Sequence, residues 1–458
     1  MVWSGHEDCD DGNQSDKDAC LHDCKKNVCG DGIVDASKEG CDDADDDDND
    51  GCADCRMGAV AIGMGPTAEH VCAVRDGQLR CWGRNDLGQL GQGNTANFGD
   101  EADEMPGVDV KVNDPGTRVV KVTTTEQFTC VLLDNKRVRC WGTDGFGQLG
   151  AGTIFTIWGD NPGEMPSPIA SLGGDASDVL AGKQHACALL TTDAVRCWGS
   201  NTLGQLGYPG KPGGEKPASY GDVSLGGQAT AIAVGSNHSC ALLVDGSVRC
   251  WGTNSSGQLG YPGVAKVGDD ETPAAQGAVD IGGAAIQIAA GDSHTCVVLD
   301  GGTDARCWGA GGDGRLGTKA KLDVGDDEAP AVAGTVKMLT PGDSVVRLAL
   351  GRYHTCALLS GGGVRCWGFG SGGALGYENT MSSGGNVNDA PAALVDVGGV
   401  ARDVVLGSFS TCALLDGGAV RCWGDNTNGQ LGVNSTTKVG TQDGTMPPAD
   451  ARLYANPP

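Results

Sequence analysis

The 458-residue chain is poor in aromatic residues, 5% in all, and poor in positive charge. Its 32 Lys and Arg face 59 Asp and Glu, a net charge of −27. The shortage of basic residues argues against nucleic acid as a main partner, because phosphate binding needs clustered Lys and Arg. No apolar run reaches the ~18 residues that a membrane-spanning helix needs, so no membrane span is expected in this chain. The opening Met1-Val2-Trp3-Ser4-Gly5-His6-Glu7 has neither the charged nor the apolar region of a signal peptide. Catalytic signatures are lacking too. There is no Ser-His-Asp order tied to a nucleophile elbow, no phosphate loop and no His-Glu-x-x-His helix. Acids are so abundant that no pair stands out for glycosidase or lyase chemistry. The expectation is a protein that is not an enzyme.

What the chain has in excess is glycine and cysteine, 78 and 21 residues. Glycine costs about 1 kcal/mol relative to alanine in a helix interior, which argues against a mainly helical fold. So many cysteines suit an oxidising compartment unless they bind metal.

Internal repeats decide the architecture. Cys-Trp-Gly occurs seven times, with tryptophans at 82, 141, 198, 251, 308, 367 and 423, spaced by 53 to 59 residues. Each copy follows a second cysteine and precedes a Gly-x-Leu-Gly turn, such as Gly88-Gln89-Leu90-Gly91. One unit reads as strands over Val345–Leu350, His354–Leu359 and Val364–Trp367, separated by glycine turns, with a fourth near Ala390–Val395. Four short strands repeated seven times predict an all-β fold, a seven-bladed β-propeller. The segment Pro448–Tyr454 is expected to pair into the blade opened by Ala59–Ile62 and so close the ring.

The cysteine pairs predict hairpin staples. Asp76-Gly77 is a favoured two-residue turn, and counting outward from it places Cys72 opposite Cys81. The same logic pairs Cys130 with Cys140, Cys187 with Cys197, Cys240 with Cys250, Cys296 with Cys307, Cys356 with Cys366, and Cys412 with Cys422. A rival reading is zinc held by two cysteines and a histidine, because His70, His185, His238, His294 and His354 lie two residues before a cysteine. Phe128 and Ser410 take that place in the other two units while the cysteine pair persists, which favours disulfides and a packing histidine.

The His-x-Cys-Ala-Leu … Val-Arg-Cys-Trp-Gly … Gly-Gln-Leu-Gly pattern resembles the regulator of chromosome condensation repeat, in the cysteine-paired form of secreted bacterial proteins. The resemblance covers about residues 57–458 and implies a seven-bladed propeller. It carries an alternative function, guanine nucleotide exchange, for which no residue here can be assigned. It also extends to a secreted bacterial inhibitor that grips its target with loops on one face.

Residues 1–56 form a separate module, with 18 acidic and 5 basic residues. Cys29-Gly30-Asp31-Gly32 … Cys41-Asp42-Asp43 … Cys52-Ala53-Asp54-Cys55 resembles the cysteine-rich repeat of myxobacterial surface proteins. A preceding copy, Cys9 … Cys20 … Cys24, lacks its first cysteine, so the gene product is expected to start upstream. Asp46, Asp48 and Asp50 fit the first half of a calcium loop, yet Met57 stands where an EF-hand needs a chelating side chain. A solvated acidic linker is the competing reading, and calcium is the one cofactor considered.

Two loop features offer binding surfaces. One is an acidic loop, Gly268-Asp269-Asp270-Glu271 and Gly325-Asp326-Asp327-Glu328, with shorter kin at Asp100 and Asp160. It reads as a structural turn or as a ring of weak cation sites. The other is a set of loop aromatics. Of these Phe155, Trp158, Tyr208, Tyr261 and Tyr377 are taken as binding candidates, the alternative being that they fold back over the blade ends. The sequence thus predicts a secreted or cell-surface binding protein that recognises a protein or glycan at the cell envelope. An extracellular polysaccharide-active enzyme is the remaining alternative.

Overall fold

The computed structural model describes residues 52–53, 56–57, 60–112, 114–391 and 393–453. The amino-terminal module, with Asp46, Asp48 and Asp50, lies outside the described residues apart from a short backbone ladder between Cys52–Ala53 and Arg56–Met57.

Seven antiparallel sheets follow one another along the chain. Their first, second and third strands are Ala61–Gly63, His70–Arg75 and Gln78–Gly83 in blade 1, and Val119–Thr124, Phe128–Leu133 and Val138–Thr143 in blade 2. Blade 3 has Ala176–Ala181, His185–Leu190 and Val195–Gly199, and blade 4 has Ala229–Val234, His238–Leu243 and Val248–Thr253. Blade 5 has Ala285–Ala290, His294–Leu299 and Ala305–Gly309, and blade 6 has Val345–Leu350, His354–Leu359 and Val364–Gly368. Blade 7 has Ala401–Leu406, Ser410–Leu415 and Val420–Gly424. Each first strand packs beside the first strand of the next blade, and Ala401–Leu406 reaches Ala61–Gly63. The molecule is therefore a closed seven-bladed propeller with the first strands around a central channel of about 370 Å³.

The expected fourth strand is a regular strand in two blades, Ile157–Trp158 and Lys266–Val267. Elsewhere it shrinks to single bridges such as Gly83 to Phe98 and Val364 to Val395. Glycine and proline in these outer segments supply turns rather than ladder partners. Closure also differs from expectation. Asp450 bridges Arg421, and Ala451 N donates to Val420 O at 2.8 Å, so the carboxyl end completes its own blade 7. Among the described residues each blade is a contiguous piece of chain, and no strand is exchanged across the seam.

All seven cysteine pairs are bonded, with opposed Cα atoms 4.0–4.1 Å apart, as the hairpin register requires. Each bond closes a loop of about ten residues and stabilises by about 2–3 kcal/mol on a chain-entropy account.

The blades are tied to one another by the tryptophans. Each indole is fully buried and donates across the blade boundary to a carbonyl in the preceding Gly-x-Leu-Gly turn. Trp141 Nε1 donates to Gln89 O at 3.0 Å, Trp367 to Arg315 O at 3.0 Å, and Trp82 to Gln430 O at 3.0 Å, which carries the pattern across the seam. The second glycine of the turn is needed for this approach. Gly91 has φ +70°, and a Cβ there would sit 2.8 Å from Trp141 Nε1.

Five of the seven boundaries add a histidine. His70 Nε2 lies 2.7 Å from Thr129 Oγ1 in the next blade, and that hydroxyl donates to Gln89 O at 2.8 Å. The hydroxyl proton is thereby used, so the imidazole must be the donor and carries its proton on Nε2. The same relay joins His185 to Ser239, His238 to Thr295, His294 to Thr355 and His354 to Thr411. The two units without a histidine face blades without the hydroxyl: Phe128 precedes a blade with Ala186, and Ser410 one with Val71. Zinc is excluded at these positions, since both cysteines are in disulfides and Nε2 is engaged.

Burial pushes His70, His185 and His354 down to about 3 and His238 to about 4. The unfolded chain binds protons on these groups below about pH 6.5 while the fold keeps them neutral. The histidines' contribution to stability is thus whole above pH 6.5 and is lost as pH falls toward 3. Ser239→Ala alone should cost about 1–3 kcal/mol by stranding the His185 N–H. Adding His185→Phe, the pair that blade 2 uses naturally, should recover most of that loss and lower the proton uptake on unfolding by one. Urea unfolding as a function of pH measures both.

Candidate functional site

The two faces of the ring differ in what they carry. One bears the turns between first and second strands and the Gly-x-Leu-Gly loops, and we call it the loop face. In five blades the glutamine of that loop folds back to accept from the backbone two residues earlier, as Leu87 N does to Gln89 Oε1 at 2.8 Å. An Asn at the loop's start caps the leucine, as Asn85 Oδ1 accepts from Leu90 N at 2.9 Å. These loops are rigid, hydrogen-bonded platforms.

The aromatic candidates separate on this scaffold. Tyr208 and Tyr261 are buried, and Tyr377 is half-buried. Each phenol donates to a carbonyl, of Gly221, Gly277 and Ala393 respectively, at 2.8 Å. Each also accepts from the N–H of a disulfide cysteine, Cys197, Cys250 or Cys366. Burial pushes the phenols of Tyr261 and Tyr377 up to about 12. These three tyrosines are blade-end plugs, and their common register, directly after Gly-x-Leu-Gly, is the signal that marks them as structural. Trp158 is half-buried against the cores around it.

Phe155 is different. It is 81% exposed, and its backbone holds φ +59°. That conformation is costly for an aromatic residue and persists only where its surroundings enforce it. Here Phe155 N donates to Asp144 O at 2.9 Å and Thr153 Oγ1 donates to Asp144 Oδ2 at 2.9 Å. Ile154, Ile157 and, on the neighbouring loop, Phe146 are also exposed. Together they form an apolar ridge at the rim of the loop face.

Nearer the axis the loop face is charged. Arg84 pairs with Asp86 at 2.8 Å and Glu69 at 3.2 Å, and Lys183 with Glu126 at 3.6 Å. Inside the channel Lys121 pairs with Asp178 and Arg347 with Asp403. These residues follow a β-bulge in each first strand, which turns them toward the channel.

The acidic loops are turns in three blades. Glu104 Oε2 accepts from the N–H groups of Gly99, Asp100 and Glu101, and Glu164 and Asp389 cap Gly159 and Gly384 in the same way. In blades 4 and 5 the carboxylates of Asp269, Asp270 and Glu271, and of Asp326, Asp327 and Glu328, converge instead. Convergence of exposed acids is common without an ion, and in blade 4 Lys266 already pairs with Asp269, whose Oδ1 is buried without a partner.

A disulfide-stapled seven-bladed propeller with a hydrogen-bonded loop face defines the class. The particular family follows from comparison with known proteins: the chain belongs to the regulator of chromosome condensation (RCC1) repeat family. One profile of that repeat matches residues 119–148, 177–205, 229–258, 285–315, 345–373 and 401–430, and a second matches 76–132 and 245–298. The chain is 28% identical over 374 residues to the ultraviolet-B receptor UVR8 of Arabidopsis thaliana, covering 81% of this chain and 78% of the receptor. It is 29% identical over 314 residues to the human probable E3 ubiquitin-protein ligase HERC6, covering 66% of this chain and 28% of the ligase. Among solved structures, Prp20p of Saccharomyces cerevisiae is similar with a TM-score of 0.57 at 22% identity, over 76% of this chain and 80% of Prp20p. Human WBSCR16 is similar with a TM-score of 0.60 at 20% identity, over 76% and 85%.

Asp144, which supports the Phe155 loop, stands where four other blades have Asn85, Asn201, Asn254 and Asn426. Burial raises its carboxyl to about 6. An unfolded aspartate ionises near 4, so this group draws down stability as pH rises from 4 to 6. Asp144→Asn should leave stability unchanged at pH 4 and raise it by about 1 kcal/mol at pH 7, partial screening reducing the full electrostatic value. Thermal melts at the two pH values test this.

Proposed function

We propose that this chain is a secreted or cell-surface binding protein whose loop face recognises a partner protein. The observation that carries the reading is Phe155, held open in a left-handed conformation on a ridge with Phe146 and Ile154. An exposed aromatic kept at a conformational cost is a typical interface anchor. Seven buried disulfides support an oxidising compartment. Prp20p, which shares the fold, is described with binding properties to Gsp1p and histones, and supports a protein rather than a glycan as the partner.

The test has two arms. Thiol titration of the denatured, unreduced protein from its native host should find none of the fourteen propeller cysteines free, and fourteen thiols would remove the secretion reading. Crosslinking capture from the native envelope should be lost with Phe155→Asp, by about tenfold or more if the residue is an anchor. Capture that survives this change, or that needs only released glycan, would overturn the partner assignment.

A further inference from the structure

The repeat is its own internal control. Positions that serve the fold recur from blade to blade, so departures that coincide in space ask for another explanation. On the loop face the last residue of the turn between first and second strands is polar in blades 1 to 5: Glu69, Gln127, Gln184, Asn237 and Ser293. In blades 6 and 7 it is Tyr353 and Phe409. The residue after Trp-Gly is Arg84, Thr143, Ser200, Thr253, Ala310 and Asp425 in six blades, and Phe369 in blade 6. These three departures meet. The Tyr353 ring lies 5.3 Å from that of Phe409 and 5.8 Å from that of Phe369, and the two phenylalanines are 5.9 Å apart.

Two arginines complete the cluster, and one of them also breaks the repeat. Arg315 replaces the loop glutamine of blade 5, stacks 4.9 Å from the Tyr353 centroid and donates to Arg352 O at 3.0 Å. It is a positioning residue. Arg352 lies on the same ring at 5.2 Å, half-buried, with its Nε buried and without an acceptor. Four other cations of this face have carboxylates: Arg84 has Asp86 and Glu69, Lys183 has Glu126, Arg315 has Asp313 and Lys438 has Asp425. Among the described residues no carboxylate is paired with Arg352.

We infer that Tyr353, Phe369, Phe409 and Arg352 form a docking site for a partner protein's apolar segment that carries a single carboxylate. The rings offer a rigid apolar bed at low entropic cost, and the guanidinium held on Tyr353 can take a carboxylate with two parallel hydrogen bonds. One carboxylate fits and several do not. Asp313 and Asp425 stand close by on the same face, and the chain's charge of −27 repels a polyanion. This assignment rests on the loop face being the binding face, and adds the chemistry of what it binds.

The probe is a phage-displayed library of random peptides. It is selected on the full chain and in parallel on Arg352→Gln and on the triple variant Tyr353→Ser, Phe369→Thr, Phe409→Asn. The triple variant borrows the residues of Ser293, Thr253 and Asn237, which other blades carry in the same places. Peptides enriched on the wild type should hold one Asp or Glu beside aromatic or aliphatic residues. They should bind either variant about tenfold or more weakly, and weaken with salt. Enrichment of basic peptides or of acidic runs, or equal enrichment on the variants, would overturn the assignment. So would a large fall in the triple variant's melting temperature, which would make the rings a part of the core. Because Phe155-dependent capture is read separately, loss of this site leaves that result standing, and loss of that result leaves this one readable.

Discussion

The fold depends on one repeated hydrogen bond, from a buried indole N–H to a carbonyl of the preceding blade. An indole with its N–H unpaired in this interior would cost about 1–3 kcal/mol, so every tryptophan needs its neighbour's turn in place. The seven bonds are cyclic, since Trp82 uses Gln430 as Trp141 uses Gln89. A ring of this kind has no first blade and no free edge, which is why it needs no exchanged strand at the seam. The disulfides solve a different problem. They lie within single hairpins, fixing each blade's register without tying blades together. The histidine relay then adds a second donor to the shared carbonyl at five boundaries. Phe128 with Ala186 and Ser410 with Val71 show that the relay is kept whole or dropped whole, as expected where half of a buried polar pair is worse than none.

Much of this was readable from the residues because the repeat states it seven times. Cys-Trp-Gly set the blade count, and the Asp76-Gly77 turn set the cysteine register. The misreadings came where a local pattern had to stand for a distant partner. Ala390–Val395 and Pro448–Tyr454 look strand-like. Whether such a segment forms a ladder or a single bridge depends on how the preceding glycine-rich loop delivers it, which period-2 patterning does not encode. Tyr208, Tyr261 and Tyr377 looked like loop anchors because composition cannot show that a phenol reaches the backbone of a disulfide cysteine. Their shared register was the available clue. Tyr353, Phe369 and Phe409 escaped notice for the opposite reason: each is a single substitution in an ordinary repeat position, and only the structure brings the three together.

The scarcity of positive charge has a structural side. The arginine before Cys-Trp recurs in all seven blades, at 80, 139, 196, 249, 306, 365 and 421. Arg80, Arg196 and Arg421 hold Asp109, Asp222 and Asp450 of their own blades at 2.7 Å. The same guanidiniums donate to Leu453, Leu172 and Val397 of the preceding blade. These cations are committed to joining neighbours, and Arg84 and Lys183 are committed to Glu69, Asp86 and Glu126. The balance of charge over the chain remains strongly negative, at −27. Against such a background a guanidinium that no carboxylate neutralises is a strong local feature, because its field is not cancelled where a partner arrives and is opposed a short distance away. That gradient, apolar and positive at the junction of blades 6 and 7 and negative around it, is a basis for selectivity. It rewards a partner that matches the centre and penalises one that brings the same charge in excess.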